Sequence, residues 1–230
     1  MAHVAVHENH LTYGGVCYFR GHAEEVELGS IGEKRTPLTK QNYLEVKDHL
    51  PVAKLKGVKS TIVEIDDSSL SQSELGAKVS AIVPVSGVPV PVKLAADTAY
   101  KQLKSNDLKL VKFSLETSDV VRAINDSPAK RTLLIDWGND ARVAHQVFLV
   151  MDATTARAFD RNVSVELSVG VDGVFNATVG GGSSSSGKTT VKYAKDSTFA
   201  YLLCKVDWDA NQKKNINKAV DADDDQWSLA

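Results

Sequence analysis

The stretch VSVELSVGVDGVFNATV, residues 163–179, puts Val163, Val165, Leu167, Val169, Val171, Gly173, Phe175, Ala177 and Val179 at every second position. Polar or small residues such as Ser164, Glu166, Ser168, Asp172, Asn176 and Thr178 fill the places between, and Val174 alone breaks the pattern. A period of two belongs to a strand with one apolar face, because successive side chains of an extended chain point to opposite sides. Beyond the Gly/Ser run at 180–187, Thr190, Val191, Lys192 and Tyr193 alternate again and the strand-like run Phe199 to Val206 follows, so residues 163–206 read as one long hairpin with a glycine-closed tip. Strands of ordinary sheets run about 5 to 6 residues and membrane-crossing strands about 9 to 11, which makes an alternation of this length unusual for a soluble sheet.

The tip also fits G-x-x-x-x-G-K-[ST], from Gly182 through Ser183 and Ser186 to Gly187, Lys188 and Thr189. A nucleotide-binding loop of that pattern needs a short buried strand before it and a helix after it, whose N-terminal N–H groups receive the phosphates. Here a long two-faced strand precedes it and an alternating segment follows, so a flexible hairpin tip is the stronger reading. A P-loop nucleotide-binding protein is an alternative.

Working outward, 230 residues with 43% hydrophobic content suffice for one well-buried domain. A net charge of -2 gives no bulk attraction to nucleic acid. Two cysteines, Cys17 and Cys204, form no framework of bridges and no C-x-x-C, which points to a reducing, cytoplasmic setting with each thiol acting as a small hydrophobe. The first ten residues lack the basic-then-apolar order of a secretory leader, and no apolar run has the length of a spanning helix.

His3, His7 and His10 have the spacing of helical metal ligands, but without a supporting Cys, Asp or His-Glu-x-x-His pattern they read as a solvated terminus. Strands are expected over 12–20, 24–28, 60–66, 108–115, 132–137 and 143–158, and helices over 95–105 and from Thr117 or Ser118 to Ile124. A second hairpin is expected from Lys78 to Leu94, with Val79 and Val83 going out, Ser86 and Gly87 turning, and Val88 and Val90 returning. Pro84, Pro89 and Pro91 cannot donate ladder bonds and belong at edges or bulges. The fold class expected is α+β: a twisted, mainly antiparallel sheet with long hairpins and a few peripheral helices. Residues 1–209 form one domain and 210–230 a short tail.

Between Lys34 and Lys59 lie Lys34, Arg35, Lys40, Lys47, Lys54, Lys56 and Lys59 against only Glu45 and Asp48. Such a run is most often a solvated face, but near an anionic membrane each cation contributes about 1 kcal/mol of attraction. No nucleophile with a local base, metal-ligand cluster or cofactor fingerprint stands out, so an enzyme is not the favoured class. The tail turns from basic, with Lys213, Lys214 and Lys218, to acidic, with Asp221, Asp223, Asp224 and Asp225, before Trp227 and Leu229. Its opposite charge to the Lys34–Lys59 region and its apolar pair suggest a segment that docks back on the body, with Asn211, Lys213 and Lys214 in an accessible stretch suited to cleavage.

The order of elements, together with Val150, Met151, Asp152 and the later Asp196, Ser197, Thr198, Phe199, Ala200, resembles the pore-forming domain of gasdermins over about the last two thirds of the chain. Bacterial and fungal members with short inhibitory tails are the nearest comparison. The resemblance implies a cytoplasmic protein that an activating protease releases from its C-terminal inhibitor. It would then bind acidic lipid at the inner face of the plasma membrane through the basic region and assemble with copies of itself. Two hairpins would refold into a membrane β-barrel, causing cell death in defence. Val79, Val83, Val88 and Val90 would insert from the first hairpin, and Val165, Leu167, Val169, Val171, Phe175, Val191 and Tyr193 from the second, while Trp227 and Leu229 would anchor the tail. A non-catalytic β-rich interaction or assembly module is the other alternative.

Overall fold

A computed structural model describes residues 3–37, 41–52, 55–160, 164–169, 175–180, 189–208 and 219–225. The first strands are β1 (His3–Val6), β2 (His10–Tyr13), β3 (Val16–Phe19), β4 (Ser30–Arg35), β5 (Tyr43–His49) and β6 (Val58–Ile65). Helix α1 (Gln72–Leu75) leads to the hairpin β7 (Lys78–Val85) and β8 (Val88–Ala95), then α2 (Ala96–Lys104), β9 (Leu108–Ser114), α3 (Thr117–Asn125) and α4 (Pro128–Asp136). The chain continues through β10 (Ala141–Asp152), α5 (Ala153–Ala158), β11 (Ser164–Val169), β12 (Phe175–Val179), β13 (Thr189–Tyr193), β14 (Thr198–Trp208) and β15 (Ala219–Asp225). The fold is α+β with an antiparallel-dominated sheet, as the alternation predicts.

The ladder closes on itself. β1 pairs β2, β2 pairs β3, β3 meets β14 at Phe19 and Tyr201, β14 pairs β10, β10 pairs β9, β9 pairs β6, and β6 returns parallel to β1. All seven strands of this circuit send side chains into one apolar cluster: Val4 and Val6, Leu11, Tyr18, Val63, Leu108 and Leu110, Phe148 and Val150, Ala200 and Leu202. Alternate residues of the same strands, Val111, Phe113, Val147, Leu149, Tyr201 and Leu203, pack outside the circuit in a second cluster with α3, α4, α5 and the outlying strands. Burial on both faces explains why β10 and β14 read as near-continuous apolar runs.

β10 is the hub, pairing with four strands along its length: β4, β9, β14 and β7. Gly32 allows β5 to lie against the other side of β4 at the irregularity beside Ile31, since a Cβ there would lie 2.0 Å from the Glu45 carbonyl of β5. Buried tyrosine hydroxyls of β14 and β13 tie these strands to the segments packed over them. Tyr201 Oη donates to Gly21 O at 2.8 Å and accepts from Leu44 N at 2.9 Å, and Tyr193 Oη accepts from Leu28 N at 2.9 Å.

Several elements differ from their sequence reading. Residues 163–179 are not one strand: Val165 pairs Val179 and Leu167 pairs Ala177, so the chain reverses between Val169 and Phe175, and β12 then pairs β13 to make a three-stranded meander. Segment 12–20 is two strands turned at Gly14 and Gly15, both with positive φ. Ala23–Glu25 is a single 3-10 turn where a strand is expected. Segment 132–137 lies in helix α4, which Pro128 opens with its fixed φ at the first position. β10 stops at Asp152, whose carboxylate accepts from Thr154 N and Thr155 N, each at 3.0 Å, and caps α5. His3 lies in β1, between β2 and β6, and the His7 ring stacks on His10 at 4.2 Å, so the histidines belong to the sheet and its turn instead of a loose terminus.

Candidate functional site

The site centres on β15, which adds to the edge of β14 in a register running from Leu203↔Asp225 to Trp208↔Ala219. An acidic strand docked on a sheet needs its charges answered, because a buried unpaired carboxylate is costly. Adjacent positions of a strand face opposite ways, so Asp224 and Asp225 find different partners. Asp225 Oδ2 lies 2.6 Å from Arg142 Nε and 3.0 Å from Lys34 Nζ. Asp224 Oδ1 lies 3.1 Å from His145 Nε2.

Arg142 is 9% exposed and also donates to the backbone carbonyls of Asn139 and Ala141, which fixes its guanidinium. Burial by itself would raise the Asp225 carboxyl, but hydrogen bonds from Arg142 and Lys34 outweigh it and hold the group below its ordinary value. The contact with His145 lowers Asp224 likewise, against the opposing effect of burial. His145 is 2% exposed, with Nδ1 3.3 Å from the Leu115 carbonyl. At the other end of β15, the Asn125 side chain of α3 donates to Ala219 O at 2.8 Å and accepts from Ala219 N at 3.0 Å. Cys204, opposite Asp224, is fully buried and its thiol is pushed up by desolvation, so it serves as packing and not as a nucleophile.

The basic region is drawn into ion pairs. Lys34 is taken by Asp225, Arg35 and Lys47 share Glu33 and Glu45 on the β4–β5 hairpin, and Lys59 meets Glu116. Lys56 is exposed just before β6. Lys40 and Lys54 lie outside the described residues. The local excess of positive charge read along the chain is therefore largely answered by carboxylates brought from elsewhere in sequence or across the hairpin.

The β7–β8 hairpin forms where expected, in unbroken register from Lys78↔Ala95 to Val85↔Val88. Its turn residues Ser86 (φ 52) and Gly87 (φ 81) have the paired positive φ of the two-residue turn that matches strand twist. That turn makes Val85 and Val88 a hydrogen-bonded pair, so Pro84 opposite Pro89, and Pro91 opposite Ile82, fall at non-bonded pairs where no ladder donor is lost. Val79 is buried, Val83 and Val90 are partly covered, and Val85 and Val88 at the tip are 49% and 48% exposed. A cleft of about 720 Å³ beside the base of the hairpin is lined by Lys78, Ser80 and Lys93 together with Asp196, Thr198 and Phe199.

In the meander, Val165, Phe175, Ala177, Val179, Val191 and Tyr193 are all buried against the outer core, Leu167 partly so. Thr189 opens strand β13, so no helix follows the Gly-Lys-Thr sequence and the P-loop reading loses its anchoring element. Val171, Gly182, Lys188, Asn211, Lys213, Lys214, Trp227 and Leu229 lie outside the described residues, as does the side chain of Val169. Sequence reading missed Asn125, Arg142 and His145. A charged residue and a histidine inside the apolar run of β10 were the available signal.

No family model, curated protein or solved structure matches this chain.

Proposed function

We propose that the protein is a latent, gasdermin-like membrane-permeabilising protein held inactive by its own C-terminal strand. The observation that carries this reading is the β7–β8 hairpin, anchored at its base by Val79 and presenting Val85 and Val88 side by side at its tip. Among the described residues these two are the large apolar side chains left exposed. Each strand of the hairpin has 8 residues, close to the roughly 9 to 11 of a membrane-crossing strand. The meander supplies further alternating strands whose apolar side is covered in this conformation and would face lipid after refolding.

Docking of β15 accounts for latency. Asp225 occupies Lys34 and Arg142, so departure of the strand frees two cations for acidic lipid headgroups. Cleavage by a protease in the 210–218 stretch is the simplest release, followed by self-assembly at the inner face of the plasma membrane. The test is dye leakage from anionic and neutral vesicles by the intact chain and by a chain cut in that stretch. The cut chain should leak anionic vesicles and the intact chain should not. A cut chain that stays folded, binds anionic vesicles and leaves them sealed would sink the reading.

A further inference from the structure

The seat of β15 is a built peptide groove as well as an internal lock. The edge of β14 offers a ladder over Leu203↔Asp225, Cys204↔Asp224, Lys205↔Asp223, Val206↔Ala222 and Asp207↔Asp221. Asn125 reads the backbone at Ala219, its side-chain amide donating to the carbonyl and accepting from the N–H, a pairing that excludes proline there. Side-chain demands come at two places: a small residue at the 3% exposed Ala219 position, and neighbouring acids facing His145 and the Arg142–Lys34 pair. A backbone ladder with a short side-chain code is the way strand-addition sites recognise extended peptides.

We propose that this groove receives an acidic, extended segment of another protein, which displaces β15 by strand exchange. The chemistry on the groove side is cationic, and the occupant already seated there shows the complement it takes: an extended chain with two adjacent carboxylates. A second copy of this chain is the weaker occupant. Swapping identical tails exchanges contacts one for one and still loses translational freedom, so nothing drives it. A foreign segment with a better fit does shift the balance, since a ligand moves an equilibrium by its differential affinity for the two states. The tether sets the threshold: a short connection gives the tail an effective concentration of about millimolar, against which a free peptide of equal fit must compete. The groove would bind its ligand whether or not the protein acts on membranes.

The experiment uses the full chain without lipid and a fluorescent peptide AVDADDD, the sequence of residues 219–225, with AVNANNN as control, read by anisotropy at low salt. Asp224→Asn with Asp225→Asn in the protein weakens the tethered tail and leaves the groove intact. The acidic peptide should bind this variant saturably and at least tenfold more tightly than it binds the unaltered chain, and the control peptide at least tenfold more weakly. Should the double variant unfold, Ala219→Pro, which removes the N–H that donates to Asn125 and sets a ring at a buried position of the tail, loosens the tail without altering the groove and should give the same rank order. Equal binding of the two peptides, or no saturable binding to either folded variant, overturns the proposal. A concentration-dependent dimer abolished by Asp225→Asn makes a second copy the occupant and overturns it too.

Discussion

Asp225 and Arg142 are 83 residues apart in sequence, yet Oδ2 of one lies 2.6 Å from Nε of the other, joining the last described strand to the hub of the sheet. Arg142 has the more committed geometry, with two backbone carbonyls also bound. Arg142→Ala should cost about 3 kcal/mol, because it leaves a half-buried carboxylate without its main partner. Lys34→Ala should cost less than Arg142→Ala, because Arg142 still answers the carboxylate at 2.6 Å. Urea unfolding with an unchanged slope measures both, and equal losses would mean the arginine is not the principal hold.

Acid should loosen β15. Both Asp224 and Asp225 have folded-state values below the ordinary 3.8, so the stability they contribute is fully present above that value and lost as pH falls through the lower, folded one. Protection factors of the β14 amides paired with β15, taken relative to the intrinsic exchange rate at each pH, should be flat from neutrality down to the ordinary carboxylate range and fall below it. Asp225→Asn should flatten that acid limb; an unchanged limb would assign the effect to other carboxylates, such as Asp48 beside Lys130.

Tyr201→Phe tests how the outer layer is tied to β14. It strands Leu44 N and Gly21 O in a fully buried setting and should destabilise the protein by about 1 to 3 kcal/mol. Thermal unfolding is the measurement, and a change within error would show that the two groups find other partners.

Gly32→Ala places a Cβ against the Glu45 carbonyl, a backbone atom that cannot rotate away. The β4–β5 pairing must shift, at about 1 to 3 kcal/mol or more. Loss of protection at Glu45 and Lys47 amides by hydrogen exchange, with β9 and β10 still protected, is the expected pattern.

Val85→Asp together with Val88→Lys should leave unfolding unchanged within about 0.5 kcal/mol, since both side chains are half exposed at a turn and the new charges are opposite in sign across the pair. In the cut chain the same pair should abolish vesicle leakage. Undiminished leakage would remove the hairpin tip from the membrane reading.

The two-residue turn at Ser86-Gly87, the helices α2 and α3, and the strands β9 and β14 follow from the sequence, because turn chemistry, helical spacing and apolar runs are local properties. The α+β class follows with them. The length of a strand does not. In residues 163–179 direct partners are Val165 with Val179 and Val169 with Phe175, pairs of like parity. A reversal of that kind keeps the alternation in phase, so one long strand and two short antiparallel ones present the same apolar pattern, and Asp172-Gly173 was the local sign of a turn.

Sequence alone thus determined the α+β class, the hairpin from Lys78 to Leu94, helices α2 and α3 and where charge accumulates, while segment 132–137 read as a strand and the strands β4, β5 and β15 went unmarked. Closure of the ladder through the parallel β1–β6 pair, and the meeting of Asn125, Arg142, His145 and Lys34 around β15, were decided only by tertiary structure. Both depend on pairings between segments far apart in the chain, and period-two alternation specifies that a strand has two faces without specifying its neighbour. The basic run from Lys34 to Lys59 makes the same point: its sign was written in the sequence, but Asp225 and Glu116, which answer Lys34 and Lys59, arrive only when the sheet closes.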